Sequence, residues 1–104
     1  MIGISIVFAA IAAAHPLSVA ADFDSDKTLN GFGACFASSQ EQAGRAWSFV
    51  PSADGGRFSN LGASGDHYPY ELRFTEYSSR NRIQLLAGDN PDRSRLIEAV
   101  DRCR

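Results

Sequence analysis

The sequence predicts a single small α+β domain, in which an antiparallel sheet of about four strands carries two helices on one face. Three observations support this class. Apolar and polar residues alternate from Tyr70 to Leu86, as in a hairpin with one buried face. Segments with helical spacing lie on both sides of the strand region. Each predicted helix contains one cysteine, Cys35 or Cys103. The predicted order is α-β-β-β-β-α, with a disulfide joining the helices.

The first helix is predicted between Thr28 and Ala46, because Leu29, Phe32 and Phe36 can share one apolar face. Several glycines weaken this pattern by about 1 kcal/mol each. A possible capping box leaves open a division into two helices, the second starting near Ser39.

Two short strands are predicted in the middle of the chain. Residues 47–50 alternate briefly, and we expect Pro51 to end that strand. Asp54, Gly55 and Gly56 form a strong turn signal, and residues 57–61 follow as the next strand. These segments predict a hairpin.

The pattern is clearest in the last third of the chain. Residues 70–75 alternate strictly, and within residues 81–86 Ile83 and Leu85 alternate with Arg82 and Gln84; together they predict a second hairpin with one apolar and one polar face. Asn90 is the expected cap of the last helix, with Pro91 at its first position. The apolar residues of this helix fall on one face: Leu96, Ile97, Val100 and Cys103.

The start of the chain predicts export. MIGISIVFAAIAAA is uncharged and almost wholly apolar, and small residues allow cleavage after Ala20 or Ala21. We therefore assign residues 1–20 to a signal peptide and residues 21–104 to the domain, with residues 21–27 as a loose acidic leader. No Lys or Arg precedes the apolar run. An uncleaved membrane anchor is an alternative, although the run is shorter than the roughly 20 residues that span a bilayer. A buried core helix is another.

Cysteine usage favours a disulfide-bonded protein, and the net charge disfavours a nucleic-acid-binding one. Two cysteines in an exported chain most simply form a disulfide, worth roughly 4 kcal/mol for a loop of about 70 residues. The net charge of −2 disfavours a nucleic-acid-binding protein. The excess of arginine over lysine favours a GC-rich bacterial genome, so we expect a periplasmic or secreted protein. No cofactor or metal site is predicted, since widely separated cysteines and a single histidine after the predicted cleavage site make a weak ligand set.

No catalytic set is evident. His67 is the only histidine after the predicted cleavage site, and Ser64 near it does not lie in a nucleophile elbow. We predict that the protein is not an enzyme. A small exported hydrolase that uses His67 with Ser64 or Cys35 is the alternative from another class.

Two surfaces remain as candidates for binding. The first is the polar face of the second hairpin, with Arg73 and Arg82, together with Tyr77 and Arg80 in its turn. Glu71 offsets only part of this charge, so we expect a basic patch there. The second is the glycine-rich loop with Arg57 and Tyr68. Tyr and Arg are frequent at interaction hot spots.

The function predicted from these features is a small exported binding or accessory module: an inhibitor, an immunity-type protein or an envelope accessory protein. Its expected partner is a protein or an envelope polymer, and not a nucleic acid. A component anchored to the membrane by its uncleaved N-terminal segment is a further alternative. The oligomeric state stays open.

Overall fold

The structure, a computed structural model, describes residues 17–60, 69–89 and 91–104. These residues form one five-stranded antiparallel sheet and two helices. Along the sheet the strand order is β1-β5-β4-β3-β2. The elements are β1 (Ser18–Ser25), α1 (Leu29–Gln42), β2 (Ser48–Ser52), β3 (Gly55–Ser59), β4 (Tyr70–Glu76), β5 (Asn81–Ala87) and α2 (Arg93–Cys103). The predicted α+β class is confirmed, with one more strand than the four expected.

The additional strand is β1, which lies antiparallel to β5 at one edge of the sheet. Its acidic sequence was expected to form a loose leader, but Asp22 and Asp24 point to the exposed side while Phe23 packs against the core. The strand begins at Ser18 and overlaps the predicted signal peptide by three residues. The pairing register is broken between Val19 and Ala21, beside the predicted cleavage position.

Helix α1 is one helix rather than two. Thr28 caps it, and its hydroxyl accepts a hydrogen bond from the backbone N–H of Gly31 at 3.0 Å. Phe32, Phe36 and Gln40 lie on one continuous buried face, so nothing interrupts the helix near Ser39.

The first hairpin differs from its prediction in register. Ser52 pairs with Gly55, so the two-residue turn is Ala53 and Asp54 and β3 begins at Gly55. Pro51 remains inside β2 instead of ending it. This is possible because β2 is an edge strand, where a missing N–H costs no sheet hydrogen bond.

Helix α2 begins at Arg93 after Asp92, two residues later than Pro91, and the predicted cap Asn90 lies outside the described residues.

The core lies between the helices and one face of the sheet. The disulfide joins Cys35 of α1 to Cys103 of α2, as predicted. No helix in the described ranges is long and apolar enough to cross a membrane. The largest fully buried apolar side chains are Tyr70, Phe32, Phe36, Phe74, Leu72, Ile83, Leu85, Leu96 and Val100.

The C-terminus is held against β1 and the segment that follows it. The Arg104 guanidinium lies over the ring of Phe23, 4.6 Å from its centroid. Lys27 Nζ donates to the carbonyl of Cys103 at 3.2 Å. The end of α2 is therefore fixed by contacts additional to the disulfide.

Candidate binding surface on the uncovered sheet face

Both helices pack on one face of the sheet, and the other face carries the polar residues predicted to bind a partner. The pairing register aligns Val50, Arg57, Arg73, Gln84 and Asp22 in one row that crosses all five strands. We call this side the open face. Besides that row it contains Ser48, Ser52, Ser59, Glu71, Thr75, Arg82, Leu86 and Asp24.

Arg82 is occupied by an ion pair at the β1–β5 end of the open face. Its Nε donates to Asp22 Oδ1 at 2.9 Å, and its Nη2 contacts the second carboxylate oxygen. The hydrogen bond from Arg82 holds the pKa of Asp22 below its usual value. The same bond, helped by one with Tyr77, raises the pKa of Arg82. The charge of Arg82 is thus largely offset.

The turn between β4 and β5 shows a similar pairing. Arg80 Nη1 lies 3.2 Å from Asp24 Oδ2, and both side chains are well exposed. Tyr77 is 56% exposed in the same turn. The hairpin therefore carries ion pairs where the sequence predicted free arginines, because the prediction lacked β1. Binding of a partner by Tyr77, Arg80 and Arg82 stays a prediction.

The β2–β4 end of the open face is different. Arg57 lies directly opposite Arg73 on the neighbouring strand. Arg73 Nε pairs with Glu71 Oε2 at 2.5 Å, whereas Arg57 forms no ion pair with any residue of the described ranges. Both arginines line a pocket of about 240 Å³ together with Val50, Pro51, Ser52, Asp54, Gly56, Phe74 and Thr75. Two like charges on adjacent strands repel unless an anion lies between them.

This arrangement joins two surfaces that the sequence kept apart. Arg57 was grouped with the glycine-rich loop as a binding surface, and it lies in the strand predicted to follow the turn, β3, beside Arg73 of the predicted hairpin face. Tyr68, the other loop residue predicted to bind, lies outside the described residues. Sequence reasoning missed Asp22 and Asp24 as partners of the arginines. Their alternation with Phe23 was the available signal.

Apolar side chains are exposed along the free edge of β2. The exposed fractions are 36% for Trp47, 37% for Phe49 and 49% for Val50. Trp47 Nε1 donates to Glu41 Oε2 at 3.3 Å, which fixes the ring beside α1. Phe49 and Trp47 also line a groove of about 290 Å³ between α1 and the sheet, with Leu29, Gly33, Ala37 and Phe58.

The structure bears on only one of the two nucleophiles considered for the hydrolase alternative. Ser64 and His67 lie outside the described residues. Cys35 is bonded to Cys103 and so has no thiol to act as a nucleophile. Within the described ranges no three His, Cys, Asp or Glu side chains are grouped as metal ligands would be.

Comparison of the chain with protein-family models, curated proteins and solved structures found no match.

Proposed function

We propose that this chain is a small exported, disulfide-bonded binding module, and not an enzyme. It docks an acidic segment of a protein partner at the Arg57 end of the open face. The observation that carries this proposal is that Arg57 is exposed beside a second arginine and has no ion pair in the described part of the chain.

The charges at this end of the open face favour a carboxylate on the partner. Glu71 is already committed to Arg73, and Asp54 accepts a hydrogen bond from the Ser52 hydroxyl at 3.3 Å. The Arg57 guanidinium keeps its donors for an incoming group. A planar guanidinium pairs with a carboxylate through two parallel hydrogen bonds, which adds geometric specificity.

The neighbouring apolar side chains favour a protein over a polysaccharide. Val50 lies opposite Arg57 on the edge strand and is half exposed, and Phe49 and Trp47 expose apolar surface on the other side of the same edge, toward α1. Aromatic residues and arginine dominate the binding energy of protein interfaces. Pro51 offers no N–H at this edge, which works against the addition of a partner strand. Docking through side chains on the open face is therefore favoured.

Export is supported by two independent features of the chain. The apolar N-terminal run followed by small residues is typical of a secretory signal. The disulfide between Cys35 and Cys103 suits a periplasmic or extracellular location, because such bonds persist in oxidising compartments.

The test compares Arg57→Gln with Arg82→Gln. Partners retained from envelope extracts by the immobilised protein are identified, and the purified partner is then titrated with each variant. We expect Arg57→Gln to weaken binding about tenfold or more, since a hydrogen bond between charged groups contributes about 1.5–3 kcal/mol. Arg82→Gln is the matched variant on the same face and should change the affinity little, because Arg82 is already paired with Asp22; a loss confined to Arg82→Gln would instead favour docking at the hairpin.

Equal losses in the two variants would contradict docking at Arg57, as would no loss in Arg57→Gln. Retention of a polysaccharide instead of a protein would contradict the class of partner. A hydrolytic activity that His67→Ala abolishes, with the fold intact by circular dichroism, would replace the binding module by the hydrolase.

A further inference from the structure

A polar cleft separates the two helices on the side away from the sheet. It has a volume of about 350 Å³ and receives residues from both helices. Neither the open face nor the β2 edge contributes to it. We call it the helix cleft, and its lining residues are Ser39, Gln40, Gln42, Ala43 and Arg45 from α1 and its C-terminal end, and Arg95, Glu98, Ala99 and Arg102 from α2.

The two walls of the helix cleft are fixed relative to each other at both ends. At one end the disulfide joins the helices, with 5.5 Å between the Cα atoms of Cys35 and Cys103. At the other end Arg45 Nη2 donates to Asp92 Oδ1 at 3.0 Å, and these side chains are only 12% and 9% exposed. The cleft is therefore preorganised, which lowers the entropic cost of binding a ligand.

Two residues that line the cleft each contain a buried N–H donor with no acceptor among the described residues. One is Nε2 of Gln40, a residue that is 1% exposed. The other is Nε of Arg45, whose terminal nitrogens are used by Asp92. A buried donor without a partner costs about 1–3 kcal/mol. A buried donor of this kind calls for an acceptor that is not part of the described chain, such as an ion or a water molecule.

The charge in the helix cleft favours an anion. Arg95 has no ion pair within the described ranges, and Arg102 Nη2 makes only a 3.4 Å hydrogen bond to the Ser39 hydroxyl. The charge of Arg45 is offset by Asp92. Glu98 is the one carboxylate among the described lining residues and forms no ion pair there. Two arginines thus face a single carboxylate.

We propose that the helix cleft binds a phosphate or sulfate group. Its donors come from both helices and from side chains of different geometry, so a ligand that contacts several of them needs acceptors in several directions. A tetrahedral oxyanion presents acceptors in all these directions, whereas a planar carboxylate is satisfied by one guanidinium fork. Arg95 and Arg102 supply the charge, and Ser39 and Gln40 supply neutral donors.

The experiment is an amide NMR titration of the full chain with inorganic phosphate, against chloride at matched ionic strength. We expect shifts confined to the lining residues of the cleft. Arg95→Gln should weaken phosphate binding about tenfold, as expected for the loss of a charged hydrogen bond. Glu98→Gln should strengthen it, because a like charge is removed. Arg93→Gln is the matched control, since Arg93 lies on the same helix and does not line the cleft.

Parallel titrations with sulfate and glycerol phosphate identify the source of the group. Tighter binding of glycerol phosphate than of the inorganic ions indicates an esterified ligand, and equal affinities indicate a free ion. Gln40→Leu gives a second readout. It should lower the phosphate affinity, whether or not it also raises the free energy of unfolding.

Either of two results would overturn the proposal. The first is the absence of saturable shifts at millimolar phosphate. The second is an equal response of Arg93→Gln and Arg95→Gln, with no gain in Glu98→Gln, since that pattern describes general screening of surface charge.

Discussion

At the scale of single residues, β3 depends on glycine where it passes closest to its neighbours. Gly55 has a φ of +149°, and a Cβ at this position would overlap the carbonyl oxygen of Phe74 on β4. At Gly56 a Cβ would overlap the ring of Phe49. The double glycine predicted to form a turn therefore permits tight strand packing instead.

We expect Gly55→Ala to lower the free energy of unfolding by more than about 2 kcal/mol, because backbone conformation and steric contact both disfavour a side chain. Gly44→Ala is the matched control: Gly44 has a φ of +69° but no neighbour within 4 Å of an added Cβ. That change should cost about 1 kcal/mol. Urea denaturation measures both values. Equal losses in the two variants would contradict the packing role of Gly55.

At the scale of elements, β1 does more than complete the sheet. It supplies Asp22 and Asp24 to the arginines of the β4–β5 hairpin and Phe23 to the C-terminal Arg104. An acidic segment is stable as an edge strand because its carboxylates lie on the open face beside arginines. The inner position is left to an aromatic ring.

Strand β1 predicts how the chain tolerates shortening at its N-terminus. A chain that begins at Ala21 keeps the pairing from Ala21 to Ser25, because the register break lies before it. We expect its free energy of unfolding to stay within about 1 kcal/mol of the longer chain, since two of the three β1 residues removed, Ser18 and Val19, are exposed. A chain that begins at Lys27 should lose more than about 2 kcal/mol, because Phe23 and its ion-paired neighbours are gone.

Urea denaturation and hydrogen exchange of the β5 amides measure this difference. Fast exchange in the chain that begins at Ala21 would show that residues 18–20 are needed to hold β1. Cleavage after Ala20 would then remove residues that the folded domain needs.

At the scale of the whole molecule, the disulfide closes a sequence separation of 68 residues. Cys103 is buried, and the end of α2 is held as well by Lys27 and Arg104. The native helix therefore has its own anchors. In the chain-entropy model, such a bond acts mainly by restricting the unfolded chain.

We expect Cys35→Ala/Cys103→Ala to lower the free energy of unfolding by about 2–5 kcal/mol without changing the native circular dichroism spectrum. Adding Arg104→Ala should then loosen α2, measured as faster hydrogen exchange at its C-terminal amides. Arg104→Ala alone, with the disulfide intact, is the control and should exchange slowly. Loss of native helix in the double cysteine variant would show that the other contacts do not suffice.

The amino-acid sequence determined much of this protein by local pattern. The α+β class, the β4–β5 hairpin, the buried face of α2 and the pairing of Cys35 with Cys103 follow from alternation, helical spacing and a count of two cysteines. Each of these depends on residues close in sequence or on a pairing without alternatives.

Only the tertiary structure decided which residues lie beside each arginine. Arg82 and Arg80 find carboxylates that lie 60 and 56 residues away in the chain, and Arg57 is brought beside Arg73 by strand register. The helix cleft likewise forms between segments about 50 residues apart in sequence. Charge partners at such separations depend on strand order and helix packing, which no local periodicity encodes. The candidate sites are therefore properties of the fold, although every residue in them is visible in the sequence.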